Sequence, residues 1–142
     1  MKPLQAVVDT NVILSALRSK QGASYRLLQL MSDPRWRMHL SVALLLQYEA
    51  VVRRAAVPLH ASEAEAEKFI DYLCTASEHQ AIYFSWRPQL TDPNDEFVLE
   101  LAVAAGASHI VTFNRADFRG AEKFGVNVVE PRDFLRIKGE VA

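Results

Sequence analysis

Carboxylate side chains stand in four segments of the chain where a strand is predicted to end or a helix to face the core. They are Asp9, Glu49, Asp92 with Asp95, and Asp117. If these side chains converge, two like charges about 4 Å apart repel by about 4 kcal/mol at an effective dielectric of about 20. Protonation or a bound cation must relieve that repulsion. A site made only of oxygen ligands suits Mg²⁺ or Mn²⁺, whereas zinc, iron and copper usually bring His or Cys.

The first of these carboxylates follows a short apolar run. Residues 4–8 are typical of a buried strand in a parallel sheet, and ligands in open α/β folds bind outside the carboxyl ends of such strands. The simpler interpretation is that Asp9 or Thr10 caps the helix that the next apolar residues predict. Asp9 therefore becomes a candidate ligand only if other carboxylates reach the same place.

Glu49 lies on a predicted helix that begins after Ser41, a natural N-cap. Helical periodicity places this glutamate inside the edge of the apolar stripe, so its carboxylate can point toward the core. The alternative is that its stem extends to solvent, or that it pairs on the surface with Arg53 or Arg54. The sequence leaves both directions open.

Asp92 precedes Pro93, which is typical of a helix that starts with an Asp cap and a proline in its first turn. Asp92 alone is therefore explained as a cap. Asp95 is different, because helical periodicity puts it on the face that would be buried against a sheet. A carboxylate directed at a core needs a partner.

The elements that position these residues alternate along the chain. Strands are predicted at residues 4–8, 36–40, 81–84, 109–113 and 126–129, with helices between them at 24–31 and 63–75, among others. A turn is predicted at residues 58–62, a helix end at Gly106 and a last helix after Pro131. This order predicts a three-layer α/β/α fold with a mainly parallel sheet, and 142 residues, half of them apolar, predict a single domain.

Composition excludes several classes of site. Sixteen basic residues nearly balance 17 acidic ones, so any nucleic-acid site would have to be a local patch. Cys74 is the only cysteine, which excludes an internal disulfide and a zinc site built on cysteines, and the four histidines show no paired metal spacing. Without a leader or a membrane-spanning run of about 18 apolar residues, we expect a cytoplasmic protein.

Four motifs together resemble the PIN-domain ribonucleases, specifically the VapC-like toxin components of prokaryotic toxin–antitoxin systems. They are V-V-D-T-N-V-I-L at residues 7–14, a Ser and a Glu separated by seven residues at 41 and 49, D-P-N-D-E-F-V-L-E-L-A at 92–102, and I-V-T-F-N-R-A-D-F at 110–118. Each motif is weak alone, but the four occur in order and cover nearly the whole chain.

The resemblance implies an acidic pocket that holds one or two Mg²⁺ or Mn²⁺ ions and hydrolyses phosphodiester bonds in RNA, leaving 5′-phosphate and 3′-hydroxyl ends. Asp9, Glu49 and Asp95 match the three core acidic positions of the family. Many members have Asp where this chain has Asn114, and Asp117 is the candidate to replace that charge.

The resemblance also implies supporting roles. Thr10, Asn11 and Thr112 match polar positions that support the site, as Asn114 would, and Asp92 belongs to the same local motif as Asp95. Candidate RNA-binding side chains are all basic: Arg18, Lys20, Arg53, Arg115 and Arg119. The expected partners are RNA, a cognate antitoxin and further copies of the chain in a dimer or larger homo-oligomer.

Two alternatives belong to other classes. A Mg²⁺-dependent α/β phosphohydrolase with Asp9 as nucleophile would need a second Asp two residues later, and the chain has Asn11 there. A catalytically weak PIN-like RNA-binding module is supported only by the neutral Asn114.

Overall fold

The computed structural model describes residues 2–56, 62–82, 90 and 92–139. Within these residues, the strands are β1 (Leu4–Val8), β2 (Trp36–Leu40), β3 (Glu78–His79), β4 (His109–Val111) and β5 (Asn127–Val129). The helices are α1 (Thr10–Arg18), α2 (Ala23–Gln29), α3 (Val42–Ala56), α4 (Glu63–Ala76), α5 (Pro93–Ala104) and α6 (Pro131–Ile137). Two short 3₁₀ helices, Arg115–Phe118 and Ala121–Phe124, lie between β4 and β5.

The strands form one sheet in the order β3-β2-β1-β4-β5, and every pair is parallel. The chain builds the sheet outward from β1 to β2 and β3, then crosses over and adds β4 and β5 on the other side. The point where the order reverses lies between β1 and β4, and this is where open α/β sheets bind ligands. The predicted three-layer α/β/α fold with a parallel sheet is confirmed.

The hydrophobic core surrounds the central strand. Ala6, Val7 and Val8 of β1 are fully buried because neighbouring strands and helices cover them on every side. Trp36 at the start of β2 packs edge-on against Phe134 of α6, with ring centroids 5.4 Å apart and planes at 70°. Full burial of an apolar side chain such as Val or Phe contributes about 1.5–3 kcal/mol to stability. The core therefore holds the end of β1 in a fixed position.

Local sequence signals explain several helix ends. Ser41 Oγ accepts a hydrogen bond from Leu44 N–H at 3.2 Å, which makes it the predicted cap of α3. Asp92 caps α5 by accepting from Asn94 N–H at 2.9 Å, and Pro93 follows in the first turn. Gly106, with φ of 64°, follows α5 in the left-handed conformation that glycine adopts without strain.

The third strand differs from its prediction. Residues 83–84 of the predicted strand at 81–84 lie outside the described residues, and Ala81 and Ile82 are not in a strand. The strand is instead Glu78–His79, which pairs with His39 and Leu40 at the edge of the sheet. Both residues are polar and exposed, so the sequence carries no apolar pattern there. They form a strand because they pair with the edge of β2, and not because they are buried.

The predicted turn at residues 58–62 lies outside the described residues except for Ser62. Ser62 forms a capping box with Glu65 at the start of α4. No helix in the described part of the chain combines the length and the apolar character that crossing a membrane requires.

Candidate functional site

Asp9 lies directly after β1 and is 5% exposed. Its Oδ1 accepts a hydrogen bond from Thr10 N–H at 2.7 Å, so Asp9 is the N-cap of α1. Its Oδ2 accepts from the hydroxyl of Thr112, directly after β4, at 2.8 Å. The capping interpretation and the strand-end interpretation therefore both hold, because the two carboxylate oxygens face different partners.

A polar network joins the ends of β1 and β4 around Thr112. Asn11 Nδ2 donates to Thr112 Oγ1 at 3.2 Å, and Asn114 N–H donates to the same oxygen at 3.0 Å. Asn11 Oδ1 accepts from the backbone N–H of Phe113 at 3.2 Å. Since the hydroxyl accepts these two bonds, its single proton is directed at Asp9.

Asp95 lies in the first turn of α5, and its pKa is raised to about 7. Burial is the largest cause, followed by the negative charges of Asp9, Asp92, Asp117 and Glu96. Like charges that share a partly desolvated space favour protonation of one of them. Three of the four predicted acidic segments therefore act on one another electrostatically at this edge of the sheet.

The pKa of Asp9 is also raised, first by burial and further by the charge of Asp117. The hydrogen bonds from Thr112 and Thr10 act in the opposite direction, because they stabilise the ionised form. Asp117 is exposed in the first 3₁₀ helix, and its N–H donates to Asn114 O at 3.0 Å. We refer to Asp9, Asp92, Asp95 and Asp117 as the acidic cluster.

Glu49 is half-buried on α3. Its carboxylate helps to raise the pKa of the Cys74 thiol on α4, after burial and after the charge of Asp71. In this arrangement Glu49 belongs electrostatically to the contact between α3 and α4. Its role as a ligand stays a prediction.

The donor chemistry of the acidic cluster fits a hard divalent cation. Its side chains offer only carboxylate oxygens, the ligands that Mg²⁺ and Mn²⁺ prefer, and the raised pKa of Asp95 shows negative charge that a cation would neutralise. Among the residues that the structure describes, no three His, Cys, Asp or Glu side chains are already arranged to enclose a metal ion.

Two residues next to the acidic cluster were missed by sequence reasoning. Tyr48 on α3 is fully buried and donates its hydroxyl hydrogen bond to Val8 O, directly before Asp9. Burial, and then the charge of Asp9, raise the pKa of Tyr48 well above its ordinary value. Glu96 is buried, and its Oε1 accepts from Leu90 N–H. Tyr48 has only the apolar signal of a core residue, and Glu96 is marked only by following Asp95.

The predicted RNA-binding side chains fall into two groups. Arg53 forms ion pairs with Glu63 at 3.5 Å and Glu67 at 3.8 Å, and Arg115 lies 3.9 Å from Glu130. The other group is exposed and forms no ion pair within the described part of the chain: Arg18, Lys20 and Arg119. Among the described residues, no carboxylate lies within ion-pair distance of the second group.

Comparison with known proteins relates the chain to a family. A family model described as PIN domain matches residues 5–116. No curated protein sequence matches the chain. A chain in the crystal structure of VapBC2 from Rickettsia felis, bound to a DNA fragment from their promoter, is similar with a TM-score of 0.57 and 16% identity. The similarity covers 89% of this chain and 98% of that one, and it indicates a shared fold.

Proposed function

This chain belongs to the PIN domain family, and on that premise we propose that it is a metal-dependent endoribonuclease, the toxin of a toxin–antitoxin pair. The observation that carries the proposal is the position of Asp9, which follows β1 at the switch point of a parallel sheet and is hydrogen-bonded to Thr112 after β4. The charges of Asp9, Asp92 and Asp117 also act on Asp95, whose pKa they raise, after burial, to about 7. Perturbed acidic groups in such a position are typical of an active site.

The residues that would hold Mg²⁺ or Mn²⁺ are Asp9, Asp95 and Asp117, with Glu49 and Asp92 as further candidates. The chemistry that such an ion supplies when bound is activation of the attacking water and neutralisation of charge on the phosphate. No histidine or lysine base is then required. We expect products with 5′-phosphate and 3′-hydroxyl ends.

The chain's own polar groups would keep Asp9 ready for this task. Thr112 and the N–H of Thr10 bond to different oxygens of the carboxylate, so they favour its ionised form and fix its rotation. Asn11 and the N–H of Asn114 fix Thr112 in turn. A ligand held by such a second layer of hydrogen bonds needs little reorganisation when its cation and substrate arrive.

The similar VapBC2 structure supports the proposal of a partner protein. We propose that the chain is a single domain that binds a cognate antitoxin, assembles into a dimer or larger homo-oligomer, and acts on RNA in the cytoplasm. Co-expression with any small protein that the neighbouring reading frame encodes, followed by co-purification, tests the antitoxin.

The test of the activity is degradation of single-stranded RNA in Mn²⁺ and in EDTA, using the native chain, Asp9→Asn and Asp95→Asn. The native chain should cut only with the metal, and each variant should lose nearly all activity because it removes a charge and keeps the shape. Asp71→Asn is the matched control, since Asp71 is an exposed carboxylate on α4.

Three outcomes would contradict the proposal. Full cleavage by either active-site variant would remove the acidic cluster from the chemistry. RNA that is bound but never cut would favour a binding module. Release of inorganic phosphate from phosphomonoesters without cleavage of RNA would favour another Mg²⁺-dependent phosphohydrolase.

A further inference from the structure

A groove of about 320 Å³ lies between the segment after α1, helix α2 and helix α6. Its lining includes three basic side chains, Lys20, Arg26 and Arg132, together with the amides of Gln21 and Gln29. No Asp or Glu is among its lining residues. We refer to it as the basic groove.

The charge of the basic groove contrasts with that of the rest of the molecule. The whole chain has a formal net charge of −1, and several of its other arginines lie against carboxylates, as Arg37 does 3.5 Å from Glu78. Lys20 and Arg132 form no ion pair with any described residue. Gathering cations around one groove costs free energy through their repulsion, and an anion in the groove relieves that cost.

Helix α1 connects the basic groove to the acidic cluster. Asp9 caps the N-terminus of α1, and Lys20 follows its C-cap, Ser19. Nine helical residues rise by about 14 Å, so an extended chain with one phosphate at Asp9 needs only a few nucleotides to place others near Lys20. A single small anion would reach either the acidic cluster or the basic groove, whereas a polyanion reaches both.

We propose that the basic groove binds the phosphates of single-stranded RNA at a distance from the cleaved bond. This inference rests on the proposed function, because it takes the substrate to be RNA. Lys20 and Arg132 contact phosphates, Arg26 adds positive charge to the groove, and the glutamine amides bond to phosphate or ribose oxygens. The groove then adds affinity that grows with RNA length.

The test is binding of labelled single-stranded RNAs of increasing length, up to about a dozen nucleotides, measured in EDTA so that cleavage does not interfere. Lys20→Gln combined with Arg132→Gln should weaken binding of the longest RNA by about tenfold, and the loss of affinity should become smaller as the RNA becomes shorter. Removing two phosphate contacts should also make the slope of log K against log salt shallower by about 1.4. The matched control, Arg54→Gln with Lys68→Gln, removes the same charge from α3 and α4.

Unchanged affinity and salt slope in the groove variant would overturn the proposal, and so would an equal loss in the control variant. Binding of an acidic polyglutamate peptide that depends on Lys20 and Arg132, with RNA binding unaffected, would assign the groove to a protein partner instead. Groove-dependent RNA binding by a chain that never cuts RNA would contradict the nuclease but keep this inference. RNA cleavage by a chain whose RNA binding does not depend on the groove would support the nuclease and overturn this inference.

Discussion

At the scale of single residues, Asp9 performs two tasks with the two oxygens of one carboxylate. Oδ1 caps α1, and Oδ2 accepts the Thr112 hydroxyl hydrogen bond from the neighbouring strand. A cap contributes about 1 kcal/mol to stability, which partly offsets the free energy of keeping this charge buried. Burial raises the pKa of Asp9, and the hydrogen bonds from Thr112 and Thr10 oppose that rise.

No residue in the described part of the chain donates a hydrogen bond to the Asp95 carboxylate, and we predict that Asp95→Asn stabilises the metal-free protein. Its pKa is about 7 in the folded chain and near 4 when unfolded, so its ionisation destabilises the fold as pH rises through this range. Because the side chain is partly exposed, solvent screening limits the effect to about 1 kcal/mol, or a few degrees in Tm. Thermal scans in EDTA should show the variant more stable at pH 8, with the difference vanishing below pH 4.

The same scans of Asp71→Asn provide the comparison, since Asp71 is exposed on α4. A midpoint for Asp95→Asn that lies below the native value at pH 8 would contradict the electrostatic interpretation of the acidic cluster.

Asn114 and Asp117 define a second prediction at this scale. Asn114 is neutral where many family members have Asp, while Asp117 adds negative charge felt by both Asp9 and Asp95. We expect Asp117→Ala to raise the Mn²⁺ concentration for half-maximal RNA cleavage, and Asn114→Asp to lower it. Titrating cleavage against Mn²⁺ measures both effects. If neither variant shifts the midpoint, this segment holds no ion.

The sequence predicted the placement of those candidate residues whose position follows from their own element. Asp9 and Asp92 are caps that local signals identify, and helical periodicity places Asp95 on the buried face of α5. Glu49 lies at the edge of an apolar stripe, where a flexible stem can turn to either side, so periodicity cannot determine its direction. The bond from Tyr48 to Val8 joins residues 40 positions apart, and no local pattern predicts that contact.

At the scale of elements, a charged network connects the last helix to the segment just before β2. The Nζ of Lys138, at the end of α6, is buried 3.4 Å from Asp33 Oδ2. Arg35 donates to Asp33 at 2.6 Å and to Lys138 O at 3.1 Å. The hydrogen bonds from Arg35, and then the charge of Lys138, hold the pKa of Asp33 well below its usual range.

We predict that Asp33→Asn destabilises the fold more than Lys138→Met does. The first change leaves the buried ammonium without its carboxylate and should cost about 3 kcal/mol, whereas the second removes the buried charge itself and should cost about 1 kcal/mol. Urea unfolding measures both free energies, with Glu122→Gln as an exposed control. The stability that the pair of Asp33 and Lys138 gives the native protein should persist above pH 4 and fall as Asp33 is protonated at lower pH. An equal loss of unfolding free energy in Asp33→Asn and Lys138→Met would show that the pair is not effectively buried.

Elements at the edge of the sheet were predicted less well than those at its centre. The apolar run of β1 identifies a central strand, because burial on both faces requires it. The two exposed residues of β3 become a strand only by pairing with His39 and Leu40, which lie far away in sequence. When a strand forms because of its partner and not because of its own composition, its sequence carries no pattern that predicts a strand.

At the scale of the whole molecule, a divalent ion should stabilise the fold. The proposed ion would bind the assembled acidic cluster and not the unfolded chain, so millimolar Mn²⁺ should raise Tm relative to EDTA by a few degrees. The rise should disappear in the double variant Asp9→Asn with Asp95→Asn, which lacks two of the proposed ligands. An unchanged midpoint in the native chain would count against a preformed site.

The bond between Asp9 and Thr112 spans 103 residues, and it has a consequence for the order of synthesis. A ribosome adds roughly 5–20 residues each second, so β1 and Asp9 emerge several seconds before the strand that completes their surroundings. During that interval a nascent chain has neither β4 nor the charges of Asp95 and Asp117. Under the proposed function, such a chain would not cut RNA around its own ribosome until translation is nearly complete, and the proposed antitoxin would have that time to bind.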